Sequence, residues 1–197
     1  MQTTSVSKFA RTITAELYAA QPGEVLPSLV AEIPVPGVLS CHRSGSSPFV
    51  DGCRLHELLQ RTNDNGPLSG REKRYLPWLS ALRTQLRALG VKRIKPEHPL
   101  KHWKGIPDGV CDLHLTGGPT PEGVLELKVV RQLPAAPLAK DLVQLGAYAA
   151  LVEARTYDPV WAGLAYASIP EAHIRLFVFN DVSVLTSKAE AIFATAA

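Results

Sequence analysis

The chain has 197 residues, 46% of them hydrophobic, at a mean hydropathy of +0.03, enough for one domain with a sizeable core. No apolar run approaches membrane-spanning length and no compact signal-peptide core opens the sequence, so a cytoplasmic protein without membrane contact is expected. Three cysteines, an odd number, do not suggest a disulfide framework and fit a reducing compartment.

The net charge of +3 is unevenly spread. Residues 71–104 hold ten Lys/Arg against two acids, whereas residues 105–197 hold six against ten. Such a basic stretch suits a polyanionic backbone, whose binding is dominated by phosphate neutralisation; a solvated helix face would look the same for any one lysine.

In chain order, Phe9, Ile13, Leu17 and Tyr18 space an apolar stripe that predicts one short helix within residues 5–20. Residues 21–47, rich in Pro, Gly and Ser, read as extended or looped, with room for short strands. We therefore expect residues 1–47 to form an N-terminal helix and loop-rich extension, and residues 48–197 to form the main domain. Asp51 is placed as the N-cap of a helix in which Leu55, Leu58 and Leu59 line one face. Gly52 lies four residues before His56 on a shared face and leaves room beside the imidazole.

Asn63 to Ser69 is a turn. Pro77 can start the next helix, with Trp78, Ala81, Leu82, Leu86 and Leu89 as its stripe and Gly90 as its stop. Val91 to Trp103 reads as the first strand of the core. Two alternating runs, Cys111 to Leu115 and Val124 to Val130, flank a Gly117-Gly118-Pro119 break and predict an antiparallel pair. A helix over Leu138 to Ala154, strands over Val160 to Ser168 and His173 to Phe179, and a terminal helix around Ala189 to Ala194 complete an α/β chain with a mixed sheet.

On strands, side chains two apart share a face. Glu126 and Lys128 therefore point one way while Leu125, Leu127 and Val129 enter a core. Asp112 and His114 share a face, with Cys111, Leu113 and Leu115 on the other. If the polar faces register, Asp112, Glu126 and Lys128 meet, and two carboxylates beside an amine are costly unless a cation joins them. An amphipathic hairpin with a solvated salt-bridge face is the plainer reading of those residues alone.

The pattern extends further: Gly109-Val-Cys-Asp112 is a G-x-x-D, Glu126-Leu-Lys128 an E-x-K, and Gln144-Leu-Gly-Ala-Tyr148 a Q-x-x-x-Y on the following helix. In this ordered set the sequence resembles the PD-(D/E)XK nuclease superfamily, and within it the RecB-like branch that includes lambda exonuclease-type enzymes. Gly52-Cys-Arg-Leu-His56 matches the upstream G-x-x-x-H of that branch.

The resemblance implies a restriction-endonuclease-like core, a central mixed sheet flanked by helices. It also implies a deoxyribonuclease using Mg²⁺ or Mn²⁺, held by His56, Asp112, Glu126 and the backbone carbonyl of Leu127. Lys128 would be catalytic, Gln144 would stand at the active-site edge, and Tyr148 would support it or touch DNA. The implied substrate is DNA, linear duplex or single strand, in recombination, repair or defence. No helicase domain is present, so a motor or a recombination or defence partner would be a separate protein.

The literal Pro107-Asp108 pair matches the superfamily's name. Asp112 is nevertheless preferred as the acid because it lies inside the apolar alternation, whereas Asp108 sits in a Pro/Gly turn. Glu72, near a helix start, is a further weak candidate acid. Rival readings are a non-catalytic nucleic-acid-binding subunit that keeps the fold, a structure-specific endonuclease, and a zinc-stabilised interaction protein using Cys41, His42, Cys53 and His56. An iron–sulfur cluster of the kind some relatives carry cannot be completed, because no cysteine follows Cys111.

Overall fold

Among the described residues six strands form one mixed sheet in the order β1-β6-β5-β4-β3-β2. In chain order they are β1 (Leu29–Pro34), β2 (Val91–Leu100), β3 (Gly109–Gly117), β4 (Glu122–Val130), β5 (Val160–Ser168) and β6 (His173–Phe179). The computed structural model describes residues 5–36, 48–61 and 69–195. Only β4 and β5 run parallel, with helix α6 (Ala139–Thr156) as their crossover; every other pairing is antiparallel. The protein is therefore an α/β fold, a central mixed sheet flanked by helices.

Each face of the sheet has its own core. On one side α6 and α7 (Ser183–Thr195) pack with the short α1 (Val6–Ala10), burying Val143, Tyr148, Leu164, Phe177 and Ile192. On the other, α3 (Pro48–Arg61) and α5 (Leu76–Ala88) cover Leu113, Leu115, Leu125, Leu127 and Trp161. The two apolar sets alternate along β4 and β5, which is why both strands are buried on both faces. Among the described residues no helix is long and apolar enough to cross a membrane.

Several sequence expectations are met closely. Strands β5 and β6 have the expected bounds, and β3 and β4 form the expected hairpin pair. Its Gly117-Gly118 turn takes φ values of 82° and 109°, which glycine adopts without strain. Trp161 donates from Nε1 to the Gly117 carbonyl at 3.0 Å and packs against that turn. The loop-rich stretch before residue 37 does contain a strand, β1, which joins the sheet edge through β6.

Others need correction. Residues 5–20 form two helices, α1 and α2 (Ala15–Ala19), because the Thr14 side chain caps Leu17 N–H and restarts the chain after α1 ends at Ala10. Helix α3 begins at Pro48, so Asp51 is not its N-cap. The Asp51 carboxylate instead accepts from Tyr75 Oη and from Arg74 at 3.3 Å, tying α3 to the start of α5. The Val91 strand ends at Leu100, and Trp103 belongs to a separate bridge with Ile106. Strand β2 is an edge strand, which is how it accommodates Pro96 and Pro99. Cys111 leaves the face of Leu113 and Leu115 and joins the α6 side. The β3–β4 ladder stops at Leu113↔Leu125, and beyond it β3 is paired with β2 alone, opposite the left-handed Glu97.

Candidate metal centre

The site lies where β3 and β4 part. Their ladder ends one residue before Asp112, and the Asp112 side chain takes over: Oδ2 accepts the Leu127 N–H at 2.7 Å. A carboxylate thus occupies the gap that a backbone carbonyl would fill in a continued ladder, and it is 7% exposed. Leu127 sends its side chain into the α3/α5 core while its carbonyl oxygen lies 3.2 Å from His56 Nε2.

His56 arrives from α3. Gly52, one turn earlier, faces Val129 of β4, and a Cβ there would sit 3.8 Å from the Val129 side chain, so the helix lies close on the strand. His56 Nδ1 is 3.2 Å from Asp112 Oδ1 and 3.4 Å from Glu97 Oε1. Burial lowers the imidazole pKa, but hydrogen bonds to Asp112 and Glu97 and the charges of Asp112 and Glu126 outweigh it, raising the pKa to about 10.

Glu126 and Lys128 share the opposite face of β4, under α6. Lys128 Nζ donates to Glu126 Oε1 at 2.6 Å and to Gln144 Oε1 at 2.8 Å, while Gln144 Nε2 donates to Glu126 Oε1 at 2.7 Å. Burial, then the Asp112 charge, raises the Glu126 pKa against the pull of Lys128. Burial alone would lower that of Lys128, but Glu126 and Asp112 raise it, so the amine stays charged. Glu126 Oε2 is buried and has no hydrogen-bond partner.

Behind this row, Gln144 Nε2 also reaches Ser7 Oγ at 3.1 Å and Tyr148 Oη at 3.2 Å, and those two oxygens are 2.8 Å apart. Tyr148 is fully buried, and burial raises its phenol pKa. Asp112, Glu126, Leu127, Lys128, Gln144 and His56 line a cleft of about 510 Å³, whose rim carries Arg11 and Lys140.

All the residues singled out from the sequence motifs therefore meet in one place. Asp108 does not: its carboxylate is exposed and accepts the His102 backbone N–H at 2.6 Å, beside Lys101. Cys41 and His42 of the zinc reading lie outside the described residues, as does the Glu72 side chain. Two contributors were missed. Glu97 has no motif, and Ser7 lies 137 residues from the Gln144 it binds. Among the described residues His56, Glu97 and Asp112 are the one set of three donors lying within 4.8 Å of one another.

No protein-family model matches the chain, and no curated protein matches it. Among solved structures it is similar to SSO0001, at 16% identity and a TM-score of 0.36 over 74% of this chain and 86% of that one. It is also similar to an alkaline exonuclease (LHK-Exo) from Laribacter hongkongensis, at 13% identity and a TM-score of 0.38 over 92% of each chain. Likenesses of this size leave the chemistry to be read from the side chains.

Proposed function

We propose that the protein is a metal-dependent nuclease that hydrolyses DNA phosphodiesters, a PD-(D/E)XK enzyme of the RecB-like, lambda exonuclease-like branch. The observation that carries this is the convergence of Asp112, Glu126 and Lys128 at the parting of β3 and β4, with Glu126 Oε2 buried and unpartnered. A buried carboxylate oxygen with no donor is costly unless a ligand meets it.

The donor set fits a hard divalent cation. Asp112 and Glu126 offer carboxylate oxygens, Leu127 a carbonyl, and His56 a ring nitrogen, a mixture that suits Mg²⁺ and, through the imidazole, Mn²⁺ somewhat better. A cation held there supplies activation of water and neutralisation of charge on the phosphate. His56 in its charged form partly offsets the carboxylates and must give up a proton to ligate.

The chain's own groups do the positioning. Lys128, charged and fixed by two acceptors, presents a permanent positive charge to a phosphate oxygen or to the attacking water. Gln144 holds both ends of the Glu126–Lys128 pair, and Tyr148 with Ser7 holds Gln144. Arg11 and Lys140 at the rim, and the exposed Lys92, Arg93 and Lys95 on β2, supply positive charge for the nucleic-acid backbone.

Incubation of end-labelled linear duplex and closed circular DNA with Mg²⁺, Mn²⁺ or chelator tests the reading. Cation-dependent loss of the linear substrate alone is expected for an exonuclease. Cutting of the circle makes the enzyme an endonuclease. Retained DNA binding with no cleavage under any cation overturns the catalytic reading in favour of a binding subunit.

A further inference from the structure

We infer that Glu97 is a metal ligand, a third carboxylate contributed by edge strand β2 to the His56 side of the cation site. The inference rests on the metal-dependent reading above. Glu97 Oε1 and Asp112 Oδ1 converge on the same atom, His56 Nδ1, at 3.4 and 3.2 Å. One donor atom from each of the three residues lies within 4.8 Å of the others. Donors bound to one small cation at roughly 2.0–2.1 Å stand apart by a comparable span, so a side-chain rotation closes the set.

The strand is shaped around this residue. Lys95 pairs with His114 and His98 with Cys111, which sets Glu97 opposite Asp112. Glu97 alone in β2 takes a left-handed φ, 48°, a conformation that costs a non-glycine residue and is kept where something over-determines it. The strand changes face across this residue: Ile94 packs on the α3/α5 core, whereas Leu100, an even number of positions on, lies in the α6 core, and His98 stacks on His114 at 4.7 Å.

Charge balance points the same way. Glu97, Asp112 and Glu126 bring three carboxylates to the site, where Lys128 is already engaged by Glu126 and Gln144. The buried Glu126 Oε2, lining the same cleft as Asp112 and His56, is an independent sign that a cation belongs there. With that cation bound by His56 nitrogen, Glu97 trades its contact with the ring for one with the ion.

Mn²⁺ affinity of the full chain, measured by titration calorimetry without DNA, tests the assignment on wild type, Glu97→Gln, Glu97→Ala, His56→Ala and the double variant. Both Glu97 variants should lose at least about tenfold, and Glu97→Ala should weaken binding further in the His56→Ala background. Thermal unfolding of the near-isosteric Glu97→Gln confirms that the fold is kept. Affinity within about twofold of wild type overturns the assignment. Loss confined to the background that retains His56 also overturns it, because Glu97 would then only orient the imidazole. Wild-type protein that binds Mn²⁺ and cleaves DNA beside an unaffected Glu97→Ala refutes Glu97 alone, whereas wild type that takes up no Mn²⁺ removes the metal-dependent reading with it.

Discussion

Lys128 Nζ and Glu126 Oε1 stand 2.6 Å apart, and Gln144 bridges them, accepting from the amine and donating to the same carboxylate oxygen. The pair therefore has one oxygen, Oε1, committed to protein donors and the other, Oε2, left for a ligand. In the proposed function this separates the two roles of the E-x-K motif: the carboxylate would bind the cation, and the amine would act on substrate.

Lys128→Ala should accordingly cut cleavage by about 10²–10³, the usual loss for one preorganised donor at a developing charge. Mn²⁺ binding should persist or tighten, because the variant removes a positive charge beside Glu126. Single-turnover cleavage alongside calorimetric titration reads both quantities; loss of both together would mean that Lys128 serves the fold and not the chemistry.

Tyr148 is buried and hydrogen-bonds to Ser7 and Gln144, so of the two roles expected for it we propose support of Gln144 rather than contact with DNA. Tyr148→Phe removes partners from Gln144 and Ser7 and should cost about 1–2 kcal/mol of stability. DNA affinity in chelator should be unchanged, as fluorescence anisotropy would measure. A selective loss of DNA affinity would show that the phenol reaches substrate.

Gly146 allows α6 and α7 to touch: a Cβ there would lie 2.5 Å from the Leu185 carbonyl oxygen. Gly146→Ala must push the helices apart and should destabilise the protein by about 1–3 kcal/mol despite alanine's better helix propensity. Denaturant unfolding gives the sign directly.

Tyr18 gives a stability signature at high pH. Burial raises its phenol pKa from 10.0 to about 12, and its hydroxyl has no hydrogen-bond partner. Below pH 10 the phenol is neutral in both folded and unfolded chains. Between about pH 10 and 12 the unfolded chain ionises first, so stability falls as pH rises. Tyr18→Phe should unfold at nearly the wild-type temperature at pH 8 and hold its stability better than wild type at pH 11. Equal losses in the two proteins would refute the assignment.

The parts of the site readable from sequence are those set by short-range periodicity. Glu126 and Lys128 follow from strand alternation, Gln144 and Tyr148 from one helical turn, and Asp112 from its place in an apolar run. Glu97 was not readable. It sits between prolines, in an edge strand without alternating pattern, and meets Asp112 only through the antiparallel β2–β3 register. Ser7 was hidden for the same reason at longer range, since α1 docks on α6 and the bonded residues are 137 positions apart. Cys111 shows the limit of alternation itself: the rule fails where β3 loses β4 as a partner, which is also where the site opens.

The measurement that tests the central claim most directly is the rate at which wild type and Glu126→Gln release nucleotides from linear duplex DNA in Mn²⁺. The amide keeps the shape of the side chain and its bonds to Lys128 and Gln144, while removing the charge that a cation requires. Cation-dependent release by wild type and essentially none by Glu126→Gln is expected, with the fold kept in chelator, as circular dichroism would show, because the amide oxygen can still accept from Lys128 and Gln144. Wild-type release rates in a folded Glu126→Gln would contradict the claim.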